Sequence, residues 1–340
     1  MKCRGLIRNC IMISLLCLMT TVLSGCLETE HITSVNREDA LIVFTSHPSD
    51  IQNAVFKQFE REYGIHVEAH SGGSKEMLDE FALLTESGEV DIMFGGGIEL
   101  LESYKGYFEP YYSKHTRSLQ SRYRSKKGEW TPFTVLPIVI AYNTDLVSPE
   151  EAPSSWSDLL VEKWRGEIIF ASPISSGTSY AILSGLEQLF GEDRDVFMPK
   201  FAAQLRGKET AGTSSVLTKL KNKDGKIAIC LEQMALKEMA AGSHIDIVYP
   251  TEGVICVPDG VAIAKHAPHL ENAQKFVDFC VSRDMQQVLS EQYFRRSIRK
   301  DLEGNGDYPR VYLLPFDIWQ AGKEEDSFVY EWEWELEKHN

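Results

Sequence analysis

Beyond residue 40 the chain repeats one unit: a short apolar run, a loop of small and hydroxyl residues, then apolar residues at helical spacing. Leu41-Ile42-Val43-Phe44 stops at Thr45-Ser46-His47-Pro48 and gives way to Ile51, Val55, Phe56 and Phe59, the pattern of strand, loop and amphipathic helix. Residues 65–69 repeat it, ending at His70-Ser71-Gly72-Gly73-Ser74 before Met77, Leu78, Phe81 and Leu84. Val90-Asp91-Ile92-Met93-Phe94 forms the next strand and runs into Gly95-Gly96-Gly97. Alternating strands and helices imply parallel sheets with right-handed crossovers, and ligands gather beyond the carboxyl ends of such strands. The loops Ser46-His47, Gly72-Gly73-Ser74 and Gly95-Gly96-Gly97 are therefore expected to converge.

A second α/β unit follows residues 133–142, where Pro132 and Pro137 forbid a helix and favour an extended crossing segment. The stretch 156–160 reads as a helix, Gly166 as a turn and Glu167-Ile168-Ile169-Phe170 as a strand leading to Ser175-Ser176-Gly177-Thr178 and the helical AILSGLEQLF. KIAIC and HIDIVYP read as strands around the helix LEQMALKEMAAG, which Gly242 closes. Residues 254–265 then look extended, before a helix over 271–281.

The N-terminus adds a targeting signal. Lys2, Arg4 and Arg8 precede an uncharged apolar run over 11–23, which ends at Leu23-Ser24-Gly25-Cys26. This is the order of a bacterial lipoprotein signal, with residues 1–25 removed and Cys26 lipidated. An uncleaved anchor would need a longer apolar run and no small residues before the cysteine. Polar, patternless residues 26–40 suit a tether. Removing those three cations from the formal charge of −15 leaves about −18, which disfavours nucleic acid as a partner. Cys230, Cys256 and Cys280 lie in apolar contexts without metal-site spacing and read as buried free thiols, with one disulfide at most.

Helix N-termini carry unpaired N–H groups and partial positive charge, so loops of this kind can bind an anion. Gly73, Gly96 and Gly177 permit close backbone approach, and Ser46, His47, Ser74, Ser175, Ser176 and Thr178 supply donors. The same serines serve equally as helix caps. Several such loops on two facing units favour a ligand cleft. No GxSxG elbow, phosphate loop, HExxH or dinucleotide fingerprint occurs, so a binding protein rather than an enzyme is expected, without a cofactor.

The order of TSHPSD, HSGGSKEMLDEF, VDIMFGGG, APSSWSDLL, KWRGEIIFASPISSGTSY, YPTEGVICVPDGVAIAK and ENAQKFVDFCVSRDMQQ resembles the type II periplasmic solute-binding proteins of ABC transporters. The branch it is most similar to contains ferric-ion, sugar-phosphate, phosphoglycerate and aminoethylphosphonate binders. The resemblance covers about residues 40–300. It implies an α/β fold of two lobes, each a mainly parallel sheet flanked by helices. Lobe 1 would comprise 41–135 and 255–300 and lobe 2 would comprise 136–254, with 301–340 packing on both. Two segments near 133–142 and 249–258 would form the hinge. It further implies a monomer that captures a small anionic solute and delivers it to membrane permease subunits, or else presents it to a sensor kinase.

Ferric-binding members carry adjacent tyrosines where this chain has Leu231-Glu232-Gln233-Met234, which weakens an iron reading, and no metal site is expected. Tyr111-Tyr112 reads as packing, and His115, His244, His266 and His269 as surface or structural residues. By resemblance to the sugar-phosphate binders, Glu232 and Glu252 would face the cleft and accept from ligand hydroxyls. Solvated or helix-capping roles fit them as well. Arg295-Arg296 either complete an anion site or lie at the surface.

Overall fold

The computed structural model describes residues 36–191, 194–256, 258–302 and 309–338. The expected signal segment, Cys26 and residues 26–35 of the expected tether lie outside them. In chain order the first elements are β1 (Asn36–Thr45), α1 (Ser49–Tyr63), β2 (Ile65–Ser71), α2 (Ser74–Thr85), β3 (Ile92–Gly97) and α3 (Ile98–Ser103). Short strands β4 (Phe108–Glu109), β5 (Thr131–Pro132) and β6 (Thr134–Val135) precede β7 (Ile138–Asn143). Then come β8 (Ile168–Ala171), α4 (Gly177–Phe190), α5 (Arg194–Leu205), β9 (Glu209–Thr210), α6 (Thr213–Lys221), β10 (Ile227–Leu231), α7 (Glu232–Ala240) and β11 (Ile245–Val248). The last elements are β12 (Asp259–Ala264), α8 (Leu270–Cys280), α9 (Arg283–Tyr293), β13 (Arg296–Ser297) and α10 (Ile318–Glu337).

Two sheets form the centres of two lobes. The first has the order β2-β1-β3-β12-β4, with β5 also on β12, and the second β11-β7-β10-β8-β9. Both are mixed. Strands that feed a helix run parallel, as β1 does to β2 and β3 and β8 does to β9 and β10. Strands β7 and β12 follow the crossing segments and enter their sheets from the cleft side, so they run antiparallel to their neighbours. The crossings touch: Pro137 bridges Cys256, and the Ile138 N–H donates to the Ile255 carbonyl at 2.9 Å.

Local sequence explains the elements. Ile51, Val55, Phe56 and Phe59 are the buried stripe of α1, and Gly64 closes that helix in the left-handed region with φ 69°. Met77, Leu78 and Phe81 do the same for α2. Strand β1 starts at Asn36 rather than at Leu41, because Asn36 already pairs with Ile65; residues 36–40 are therefore strand, not tether. The expected helix at 156–160 is a single 3-10 turn, Ser157–Leu160, too short for an apolar stripe. Cys230, Cys256 and Cys280 are buried and free, and burial pushes the thiols of Cys230 and Cys256 up to about 12. Tyr111 packs half-buried against the lobe 1 core, whereas Tyr112 is exposed. His244 and His269 pair with Asp145 and Asp91 at 2.7 and 2.9 Å.

Helix α10 lies across both lobes. Ile318 joins the lobe 1 core, while Phe328, Trp332 and Leu336 join the lobe 2 core. Asp317 caps its first turn by accepting from the N–H groups of Trp319 and Gln320 at 3.0 Å. Tyr180 of α4 donates to the Ala321 carbonyl, and the Trp332 indole donates to Glu209 at 3.0 Å. Trp332 is fully buried, so Trp332→Ala should remove about 3–5 kcal/mol of stability. Denaturant unfolding followed by circular dichroism measures this, and a loss under 1 kcal/mol would show that α10 is not part of the core.

Candidate functional site

Between the lobes lies a cleft of about 590 Å³. Ser46, His47, Gly73, Ser74 and Gly96 line it from lobe 1, and Ser175, Ser176, Gly177 and Thr178 from lobe 2. Each group stands where a strand hands over to a helix. The walls nearly touch at one point, since a Cβ added to Gly177 would lie 3.7 Å from the Ser74 Cβ and 3.4 Å from the Leu100 Cδ2.

Much of the polar capacity of these loops is spent internally. The Ser46 hydroxyl accepts from the Gly96 N–H at 3.0 Å, and Gly95, at φ 110°, leaves room for it; a Cβ there would meet the Ser46 Oγ at 2.7 Å. Ser176 caps α4 by accepting from the Ser179 N–H at 3.2 Å, and Ser175 donates to the Ala211 carbonyl at 2.6 Å. The Gly73 N–H donates to Glu76 at 3.2 Å. Capping and cleft lining are thus properties of the same residues. His47 lies at the cleft floor with its ring against Phe94 and Phe133, centroids 4.2 and 5.4 Å away. Burial pushes its pKa down to about 3, against the opposing pull of Asp259, so at neutral pH its 3.6 Å approach to Asp259 is not an ion pair.

Glu232 and Glu252 do not line the cleft. Glu232, the first residue of α7, is fully buried, and there Arg296 grips both its oxygens at 2.6 and 2.8 Å and Tyr249 donates to it at 2.6 Å. Glu252 accepts from the N–H groups of Trp156 and Ser157 at 3.0 and 3.1 Å and from the Ser157 hydroxyl, capping the 3-10 turn. Both carboxylates are consumed by structural partners, and so is Arg296.

Of the pair Arg295-Arg296, which the sequence left between an anion site and the surface, Arg295 borders the cleft, while Lys237, Gly212, Thr213, Ser214 and Glu99 are cleft residues the sequence did not single out. Arg295 is 2% exposed and borders the cleft floor. It pairs with Asp259, donates to Thr134 and Gln233 at 2.9 Å, and has no acceptor for Nη2 among the described residues. Lys237 of lobe 2 reaches Asp50 of lobe 1 at 2.5 Å; burial would raise the Asp50 carboxyl, but Lys237 holds it below its usual range. Gly212, Thr213 and Ser214 open α6 onto the cleft, a small-and-hydroxyl loop of the kind that marks the other helix starts. Glu99, in the first turn of α3, also lines the cleft. Burial pushes its carboxyl up to about 8, and Glu325 of α10 adds to the rise.

Residues 97–305 match the family model of the bacterial extracellular solute-binding proteins. The chain belongs to that family. As a solute-binding protein it is 26% identical over 273 residues to the Synechocystis iron uptake protein A1, covering 74% of each chain. It is 21% identical over 260 residues to a putative 2-aminoethylphosphonate-binding periplasmic protein of Salmonella typhimurium, covering 74% of this chain and 75% of that one. The periplasmic binding protein AfuA of Actinobacillus pleuropneumoniae, solved with fructose-6-phosphate, superposes with a TM-score of 0.79 at 22% identity, covering 88% of this chain and 98% of that one. The two-lobed architecture of this solute-binding protein is therefore shared with a solved relative.

The buried acids set a pH dependence. Glu99 and Glu325, raised to about 8 and about 7 from 4.5, contribute stability that is full below pH 4.5 and lost as pH rises through those values. His47, depressed from 6.5, contributes stability that is full above pH 6.5 and lost as pH falls toward 3. The two effects oppose each other between pH 4.5 and 6.5, and above 6.5 the contribution of His47 is constant while that of the acids goes on falling, with the buried thiols adding to the fall near pH 8.5. Calorimetric Tm should therefore fall from pH 6.5 to 8.5, and Glu99→Gln should flatten that fall. A Tm that climbs over the same interval would contradict the burial of these acids.

Proposed function

We propose that the protein is the lipid-anchored capture subunit of an ABC-type uptake system and holds a small anionic solute, a phosphate ester or phosphonate, between its lobes. The observation that carries this reading is the convergence of the N-termini of α1, α2, α4 and α6, two from each lobe, on one cleft floored by the guanidinium of Arg295. An anion there would meet N–H groups and hydroxyls from both walls, and so would favour the closed arrangement of the lobes. Binding without turnover is the expected chemistry. The similarity to the fructose-6-phosphate and phosphonate binders supports the same class of ligand.

The iron uptake relative suggests ferric iron as an alternative cargo. The cleft wall speaks for the anion instead. Tyr293 is the one tyrosine along its described residues, and Leu231 at the end of β10 is followed by Gln233 and Met234 rather than by tyrosines. Among the described residues, no group of three or more His, Cys, Asp or Glu is placed to hold a metal ion.

Ser74→Glu and Thr178→Glu put like charge on opposite walls at partly exposed positions, so each should weaken phosphate-ester or phosphonate binding at least about tenfold, ~1.4 kcal/mol, with the fold intact. Calorimetry and circular dichroism measure both. Unchanged affinity in both variants, or stoichiometric ferric uptake with visible charge-transfer absorption, sinks the anion reading. Anchoring has its own test: Cys26→Ala should abolish lipid labelling and release the protein from membranes, and persistent labelling would place the lipid elsewhere.

A further inference from the structure

The charged side chains that line the cleft are Asp50, Glu99, Lys237, Glu238, Asp259 and Arg295. Most are answered within the protein: Lys237 by Asp50, Arg295 by Asp259, and Glu238 by Lys221 at 2.7 Å. Glu99 is the exception. It is 0% exposed, and no hydrogen bond of acceptable geometry reaches either of its oxygens from the described residues. Its carboxyl folds back over Gly97, itself a cleft residue, so closely that a Cβ added there would meet the two oxygens at 2.0 and 2.3 Å. From behind, α10 seals the site, with Gly322 tight against the Glu99 carbonyl.

Buried polar groups are normally paired, and one that is not needs an explanation outside the fold. Packing gives none here, since leucine or glutamine would fill the same place without a bare carboxyl. Electrostatics gives none either. The facing groups are Glu325 of α10, which repels the charged form, and Tyr180 of α4. The side from which a partner can reach it is the cleft, which Glu99 lines.

The geometry points to Glu99 as the acceptor for a hydrogen-bond donor carried by the ligand, so that the captured solute is an anion that also bears a hydroxyl or ammonium group. This rests on the anion reading of the cleft and deepens it. One end of the solute meets the helix N-termini and Arg295; the other supplies a partner to a carboxyl that the protein leaves unpaired. The role foreseen for Glu232 and Glu252 thus falls to a residue on the lobe 1 wall. Burial raises the Glu99 carboxyl to about 8, which favours its protonated form at pH 7 in the empty protein. An ammonium ligand would form an ion pair with the carboxylate and displace that proton to solvent. A hydroxyl ligand would leave the proton where it is.

Three near-isosteric probes decide the matter: ethylphosphonate, 2-hydroxyethylphosphonate and 2-aminoethylphosphonate, titrated at pH 7 in buffers of different ionisation enthalpy. For the wild-type protein, at least one donor-bearing probe should bind ten times or more tighter than ethylphosphonate. In Glu99→Leu the ratio within the probe set should collapse to about twofold. Should that variant fail to fold, Glu99→Met decides, because it keeps the length of the side chain and offers neither an oxygen acceptor nor a proton to release. Buffer-dependent heat with the amino probe alone identifies the ammonium source; a tighter hydroxyl probe without proton release identifies the hydroxyl source. Equal binding of all three probes by the wild type, or an unchanged ratio in the Glu99 variants, overturns the assignment while the anion reading stands. If none of the three binds, the anion reading fails and the role of Glu99 fails with it.

Discussion

The buried pair of Asp259 and Arg295 is the interaction on which the floor of the cleft depends. Asp259 opens β12 where the chain re-enters lobe 1, and its carboxylate accepts from both the N–H and the hydroxyl of Thr134 at 2.8 Å. Its carbonyl accepts from the Phe133 N–H at the same distance. Arg295 leaves the end of α9, shares Thr134 and reaches Gln233 at the start of α7 in the other lobe. One ion pair thus joins the lobe 1 sheet, the first crossing segment and the second lobe. Removing either partner would strand a buried charge, a loss of about 3–5 kcal/mol, so the guanidinium is held in place by the fold before any ligand arrives. The neighbouring His47 is kept neutral by burial and adds no competing charge.

Around that floor the walls follow a single economy of residue types. Serine and glycine terminate strands, cap the following helices and leave the backbone open to the cleft, so folding and recognition draw on the same groups. The Ser46–Gly96 contact shows why the glycine run is needed: the loops of β1 and β3 approach so closely that Gly95 has no space for a side chain. A helix that caps itself with its own serine still presents its remaining N–H groups outward.

The architecture was legible in the sequence where burial is one-sided or complete. Continuous apolar runs such as 41–44 and 227–231 became strands buried on both faces, and the stripes of α1 and α2 became helices, because hydrophobic periodicity records the burial directly. Helices α5 and α6 left weaker traces, one interrupted by Pro199 and the other only nine residues long. The mixed direction of the sheets depends on where the chain crosses between lobes, which no local pattern states. At the site, the small-residue loops could be read because helix starts demand caps. The fate of each acid could not be. Glu232 is claimed by an arginine 64 residues away and Glu252 by a backbone turn 95 residues away, whereas Glu99 reads as an ordinary first-turn acid until α10 is seen behind it.

Helix α10 has a consequence for how the lobes part. Two crossing segments alone would act as a pivot, free to swing open over a wide arc. A helix whose first residue sits in one core and whose last turns sit in the other makes a third strap, far along the chain from the first two. Packed helices slide by small steps because their side chains interlock, so opening must proceed by shear beneath α10 together with rotation at the crossings. Rotation at the crossings alone is therefore not the whole of how the lobes can part.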